Sequence, residues 1–356
     1  MADAVSFPLA GQTVVPGQHR AVPIPVTTGL NGADLRLWVH AVHGWSAGPT
    51  VALICTMHGD EWFSIAPLRD LVARLDPGRM CGTLLVVPVA NPPALGMQQR
   101  NTPDDADSPD LNRAFPGTHT WRIDQLARTL TEHVLTPADV LLDFHMGPWG
   151  STFRDVLIGD DYPDAAVVAR SEELALAFGS PIVRRANVVT HFPGPRSAIG
   201  YAGAVLGIPA LGVEVGGAGF GPTLESAWRR STVDGVLAVM ATLGMVDDEP
   251  APRPARQLIY RTSHRVNPST GGLLRSRFGG AALATEVSAG TVLGEVVSPY
   301  TFEVLEELGA PADGLLFYTA RDHPVNPGDW AFGIAETSDP HARWVVNEPS
   351  TVDGGR

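Results

Sequence analysis

The sequence predicts an α/β protein with a mixed, mainly parallel sheet flanked by helices, followed by a small C-terminal all-β domain. Three observations carry this. Apolar runs of strand length alternate with stretches of helical spacing, several of those runs end in a polar cluster, and beyond about residue 257 the helical spacing stops. Strands covered on both faces read as unbroken apolar runs, and strands alternating with helices define a layered α/β architecture.

The elements follow in order. Residues 1–50 are rich in Gly, Pro and Thr and hold one alternating run, Leu35 to Val42, which reads as a half-exposed strand. Thr50 to Thr56 is a buried strand that ends in Met57-His58-Gly59-Asp60-Glu61-Trp62. Ile65, Leu68, Val72 and Leu75 then recur at helical spacing. Leu84 to Val89 is a second buried strand, running into Asn91-Pro92-Pro93 and a polar loop over about 94–120. Ile123, Leu126, Leu130 and Val134 mark one face of the next helix, and Val140 to Phe144 is a strand ending at His145. A helix over 163–178, a strand from Pro181 to Val189, a helix near 198–207 and a strand from Pro209 to Val213 follow. That last strand ends at Glu214, and a long helix fits 223–243. The α/β domain is thus expected over 1–246 and a Pro-rich linker over 247–257. Short alternating segments split by Gly and Pro fill 258–336, and a polar tail over 337–356 is expected to fray.

Composition narrows the chemistry. The chain has 356 residues, and its 25 basic residues are all arginine against 38 Asp and Glu, a formal charge of −13. Without lysine there is no Schiff base, no pyridoxal-phosphate anchor and no phosphate-loop lysine. The acidic balance argues against nucleic-acid binding, which needs a basic face. No apolar run reaches the length of a membrane span, about 18 residues, and no basic segment opens a secretory signal. The expected address is the cytoplasm. Cys55 and Cys81 form no disulfide framework and read as core residues.

Three strand ends carry metal-ligating side chains. His58 and Glu61 form His-x-x-Glu after one buried strand, and His145 ends another. Two imidazoles and one carboxylate are the usual protein ligands of a catalytic zinc, leaving one position for water. Ligands gather at the carboxyl ends of strands in open α/β sheets. Glu214 ends a further strand beside Gly216-Gly217, where a carboxylate reaches a water closely and serves as general base and acid. Arg100 and Arg113 lie in the long polar loop, and an arginine fork binds a carboxylate through two parallel hydrogen bonds. Asp143, two residues before His145, points to the same side of the strand and is a candidate to orient that ring.

The ordered motifs His58-Gly59-Asp60-Glu61, Asn91-Pro92, Asp110-Leu111-Asn112-Arg113, Asp143-Phe144-His145 and Val213-Glu214-Val215-Gly216 resemble the succinylglutamate desuccinylase/aspartoacylase family. That family is a branch of the zinc-carboxypeptidase-like enzymes, and the resemblance covers about 50–336. It implies a zinc-carboxypeptidase-like sheet, one zinc per chain on His58, Glu61 and His145, and Glu214 as general base and acid. By the same resemblance Arg100 polarises the scissile carbonyl, and Asn112 with Arg113 holds the substrate carboxylate. Tyr300 and Arg196 are weaker candidates for further substrate contacts. Asn112 to Gly117 resembles the deacetylase-like bacterial members, which implies an N-acetyl-diaminobutyrate-type substrate.

The expected activity is therefore zinc-dependent removal of an N-acyl group from a small amino-acid-like molecule. The alternatives are a metallocarboxypeptidase that cuts a C-terminal residue from a peptide, and a metal-binding protein without catalysis. A serine hydrolase is disfavoured because no Gly-x-Ser-x-Gly elbow is present. The expected partner is a small N-acyl amino acid or related amide, with no nucleic acid and no membrane. The oligomeric state stays open, a homo-oligomer included.

Overall fold

The computed structural model describes residues 4–103, 109–147, 150–247 and 251–347. A short hairpin of β1 (Phe7–Leu9) and β2 (Gln12–Val14) precedes the long antiparallel pair β3 (Gln18–Thr28) and β4 (Asp34–His43). Then come β5 (Ser46–Cys55), helix α1 (Ile65–Arg74), β6 (Cys81–Val87), the short α2 (Pro92–Met97) and α3 (Arg122–Leu130). They are followed by β7 (Val140–His145), β8 (Ser151–Gly159), α4 (Ala165–Phe178), β9 (Ile182–Ala186), α5 (Ala198–Tyr201), β10 (Ala210–Gly216) and α6 (Pro222–Thr242).

The parallel character is confined to the centre. β6, β5, β7 and β10 lie side by side and parallel, while β4 and β3 on one flank and β8 on the other run antiparallel to their neighbours. Each central strand buries both faces, which explains its unbroken apolar sequence. Val51, Leu53 and Cys55 of β5 pack with α1, α4 and α6, and Ala52 and Ile54 with α3 and α5. Along β7, Leu142 and Phe144 join the first of these cores, so Asp143 and His145 project to the other side. Cys55 is fully buried, which pushes its thiol up to about 12, and Cys81 is half-buried at the start of β6.

Two features depart from the sequence expectations. Strand β8 falls where no strand was expected, because Arg154 and Asp155 interrupt its apolar run. The structure tolerates them by pairing Asp155 with Arg184 of β9, Nε to Oδ2 at 3.1 Å.

The C-terminal region also differs in how it attaches. Its strands are β11 (Arg256–Tyr260), β12 (Ser263–Val266), β13 (Gly272–Ser276), β14 (Glu286–Val287), β15 (Val292–Val297), β16 (Val304–Gly309), β17 (Gly314–Ala320), β18 (His323–Val325), β19 (Phe332–Glu336) and β20 (Arg343–Val346). Only β16, β15, β13 and β18 form a separate antiparallel sheet. β17 pairs with β8, and β19 and β12 continue from it, while β11 runs parallel to β9. The expected tail does not fray throughout, since Arg343–Val346 pairs with β11. Asp248 to Pro250 of the expected linker, and the tail from 348 onward, lie outside the described residues. No helix among the described residues is long and apolar enough to cross a membrane.

Candidate metal centre and cavity

The turn after β5 aims the first two candidate ligands. Thr56 adopts a left-handed conformation (φ 57°), a strained choice for a β-branched residue. Asn91, the N-cap of α2, holds this turn: its side chain donates to the Met57 carbonyl at 3.2 Å and to Thr102 at 2.9 Å, and accepts from the Ala94 amide. Gly59 is required because a Cβ there would stand 2.0 Å from the Ala94 carbonyl. The Asn-Pro motif is therefore a clasp for the His58 turn.

His58, Glu61 and His145 are all buried, and one ligand atom from each lies within 4.8 Å of the others. Both rings turn Nδ1 toward the Glu61 carboxylate, His58 at 2.9 Å and His145 at 2.8 Å. Their Nε2 atoms face other carboxylates, Asp110 for His58 and Asp143 for His145, each at 3.0 Å. A carboxylate only accepts, so it fixes the ring proton on Nε2 and leaves Nδ1 as the electron-pair donor. Burial favours neutral rings, but the surrounding carboxylates outweigh it and raise both pKa values, that of His145 most. Burial likewise opposes the Glu61 charge, yet the two rings hold its carboxyl well below the usual range. The donor set fits a divalent cation: exchanging two ring protons for one such ion keeps the charge of the cluster unchanged.

Glu214 lies in register with His145 on β7 and with Asp155 on β8. Its carboxylate opens onto the cavity from a deep position. Burial pushes its pKa up to about 7, with His145 pulling it down and Glu61 and Asp155 pushing it up. Gly216 (φ 91°) turns the chain away just beyond it, where a Cβ would meet the Phe63 ring at 2.5 Å.

The loop residues converge on the same place. Arg100 donates to Glu61 at 3.1 Å and to Asp110 at 3.0 Å. Asn112 accepts from the Ala198 amide at 2.8 Å, which fixes its oxygen and turns its NH2 toward His145 Nε2 at 3.3 Å. That nitrogen already carries a proton for Asp143, so the Asn112 donors remain for a ligand. Arg113 lies over the Phe192 ring at 5.1 Å, and Phe192 lines the cavity with it.

These groups face one cavity of about 560 Å³. Arg184 also lines it, and its far wall comes from the C-terminal region: Arg265, Tyr318, His323, Asp329 and Trp330. Sequence reasoning did not pick out that wall. It missed Asp110 as a partner of His58 too, although the residue stands in a quoted motif. Tyr300 is 89% exposed and does not line the cavity. Arg196 also lies off the cavity; it braces the loop by donating to the carbonyls of Ala114 and Phe115.

Fold and site together define an α/β chain whose strand ends gather two histidines and a carboxylate beneath a cavity. The chain belongs to the succinylglutamate desuccinylase/aspartoacylase family, whose catalytic domain matches residues 47–243. It is 29% identical over 349 residues to the N-alpha-acetyl-L-2,4-diaminobutyric acid deacetylase of Halomonas elongata, covering 90% of this chain and 97% of that one. The crystal structure of a succinylglutamate desuccinylase/aspartoacylase from Rhodobacter sphaeroides aligns with a TM-score of 0.73 at 25% identity, over 90% of this chain and 94% of that one. The product-bound ectoine utilization protein of Ruegeria pomeroyi shares the fold, with a TM-score of 0.76 at 22% identity over 90% and 95% of the two chains.

Proposed function

We propose that this protein is a zinc-dependent amidohydrolase that removes the acyl group from a small N-acyl amino acid, with N-acetyl-diaminobutyrate-type molecules the first to test. The observation that carries the reading is the cluster of two Nδ1 atoms and one carboxylate at the floor of the cavity, with the raised Glu214 carboxyl beside it. His58, Glu61 and His145 would hold the zinc, which supplies Lewis acidity for the water and the scissile carbonyl. Imidazole and carboxylate donors suit zinc among the common divalent ions.

The chain's own groups do the rest. Glu214, with a proton affinity near neutrality, takes a proton from the attacking water and returns it to the leaving nitrogen. Arg100, which donates to Glu61 in this structure, would donate to the carbonyl oxygen as charge develops there, a contact worth about 3–4 kcal/mol. Arg113, backed by Phe192, grips the substrate carboxylate together with the free Asn112 donors. A cavity of about 560 Å³ accommodates a short amide.

The test is a panel of N-acyl amino acids, N-acyl diamines, dipeptides and esters, with products read by mass spectrometry and zinc counted in the purified protein. Release of the free acid and amine, lost on chelation and restored by one equivalent of zinc, is the expected result. Cleavage of dipeptides in preference to N-acyl amino acids would replace this reading with a carboxypeptidase.

A further inference from the structure

The sheet face beneath the metal cluster is laid out in rows, because β7, β10 and β8 are neighbours in register. His145, Glu214 and Asp155 form one row. Two residues along each strand, about 6.6 Å away, Asp143, Gly212 and Leu157 form the next row on the same face. All three of these line the cavity, and so does Ile199 of α5. The cavity therefore runs past Glu214 into a hollow floored by Gly212. Leu157 and Ile199, both buried, are its walls and belong to the apolar core under this face.

The hollow is open because Gly212 has no side chain, and the fold does not demand a glycine there. Its φ lies outside the left-handed region. A Cβ would stand 3.4 Å from Leu157 Cβ and 3.6 Å from Ile199 Cδ1, ordinary contact distances to side chains alone. Gly216 on the same strand is the opposite case, since a Cβ there would meet the Phe63 ring at 2.5 Å. A glycine inside a strand weakens it and often marks the close approach of a ligand or another backbone. No backbone approaches Gly212, and the space above it is cavity.

The hollow also lies beside the proposed carboxylate holders. Asn112 accepts the amide of Ala198, next to Ile199 in the chain, and turns its NH2 toward His145. An amide with its carboxylate on Asn112 and Arg113 carries its α-carbon over this hollow. The one charge in the row, Asp143, turns Oδ2 to His145 and keeps its other oxygen shielded from solvent. The hollow thus offers a side chain apolar contact.

We propose that Gly212, walled by Leu157 and Ile199, is a specificity-determining position: the hollow above it takes the side chain of the amino-acid portion and selects an unbranched chain whose methylene groups fill it. The inference rests on the N-acyl amide reading above and adds the class of its amine portion. The diaminobutyrate side chain has the same reach as that of norvaline, so a neutral series isolates length from charge.

The test assays N-acetyl-L-alanine, N-acetyl-L-norvaline and N-acetyl-L-norleucine with zinc-loaded wild type, Gly212→Ala and Ile199→Val. Burial of one methylene is worth about fourfold, so wild type should favour norvaline over alanine by about tenfold in kcat/KM. Gly212→Ala, whose methyl fills the floor, should reduce that ratio by about fivefold. Ile199→Val deletes Cδ1 and deepens the hollow, so it should act in the opposite sense and raise the norleucine-to-norvaline ratio by about threefold. A flat wild-type series, or a Gly212→Ala variant that loses the same factor on all three amides, overturns the proposal. Titration calorimetry with the free amino acids L-alanine and L-norvaline is independent of turnover. Norvaline should bind the zinc-loaded wild type more tightly than alanine and lose that margin in Gly212→Ala. A margin absent from wild type, or unchanged in the variant, refutes the hollow. If no amide is cleaved, the reaction class fails while the calorimetry still decides the hollow.

Discussion

The cavity has two walls with different origins. One is built at the ends of β5, β7 and β10, where His58, Glu61, His145 and Glu214 each follow or end an apolar run. The other is built from the β region, where Arg265 lies over Trp330, Trp330 stacks on Tyr318, and Phe153 packs against both rings. The first wall is compact in sequence terms: a strand makes the run, the turn after it supplies the polar group, and the sheet aligns the ends. The second exists only because Tyr318 of β17 pairs in register with Phe153 of β8. The difference separates what local sequence can write from what only the folded chain assembles. The groups proposed for the reaction are written into local strand-end patterns, and the opposite wall comes from distant chain segments brought across the sheet.

The largest effect should come from the first wall. Glu214→Gln keeps the shape of the side chain but cannot carry a proton between water and leaving nitrogen. Turnover should fall by roughly 10³-fold, within the range of general acid–base catalysis. Zinc content should stay at one per chain, because the Glu61 carboxylate is the one that both cluster imidazoles face through Nδ1, and Glu214 is not needed to complete that set. Loss of zinc along with activity would put Glu214 among the ligands and erase the division of labour drawn above.

Much of the fold was legible for the same reason as this wall. The central strands bury both faces and therefore announce themselves, as Val51 to Cys55 and Val140 to Phe144 do. Strand β8 was not legible, because its Arg154 and Asp155 look like surface residues until Arg184 is seen beside Asp155. Asp110 was visible only as part of a motif: no local pattern reveals that a carboxylate 52 residues from His58 meets its Nε2. Tyr300 could not be placed from the sequence, because an aromatic in a β segment says nothing about which way the segment faces, and here it is exposed. Arg265 gave no signal at all, since its partner in the structure is a tryptophan far along the chain.

The next effect concerns Glu214 without metal. Burial holds its folded pKa near 7, above the ordinary value of 4.5, so the native state binds this proton more tightly than the unfolded chain does. The associated stability is fully present below pH 4.5 and is lost as pH rises through 7, a difference of roughly 3 kcal/mol. Metal-free Glu214→Gln should therefore gain stability over metal-free wild type at pH 8 and show little difference at pH 4. Urea unfolding at both values measures this, and a gap that does not change with pH would show that the carboxylate is solvated after all.

The outer carboxylates come third. Asp143→Asn and Asp110→Asn should each weaken zinc binding by about 10- to 100-fold, the usual cost of losing the partner that orients a ligating ring. The larger loss is expected for Asp143, which is fully buried and has one oxygen with no hydrogen-bond partner, so its charge acts undiluted on His145. Asp110 also serves Arg100, which takes part of its charge. Competition with a chromogenic chelator ranks the two, and an equal loss would mean that burial does not sharpen the effect.

The smallest effect belongs to the far wall, and it tests whether that wall chooses substrates or merely encloses them. Trp330→Leu removes the face on which Arg265 lies, and Trp330→Phe keeps a weaker one. A cation–π contact of this kind contributes about 0.5–2 kcal/mol. Loss of that contact, and of packing against Tyr318 and Phe153, should lower thermal stability in both variants, more in Trp330→Leu than in Trp330→Phe. The ranking of N-acyl amides by kcat/KM should stay as in wild type, because the hollow proposed to read the side chain lies on the other wall, above Gly212. A change of ranking through KM that follows the strength of the π face, at constant zinc content, would make the far wall a second chooser of substrate. If both variants change kcat instead, the two walls are not independent, and substrate choice is made at the metal as well.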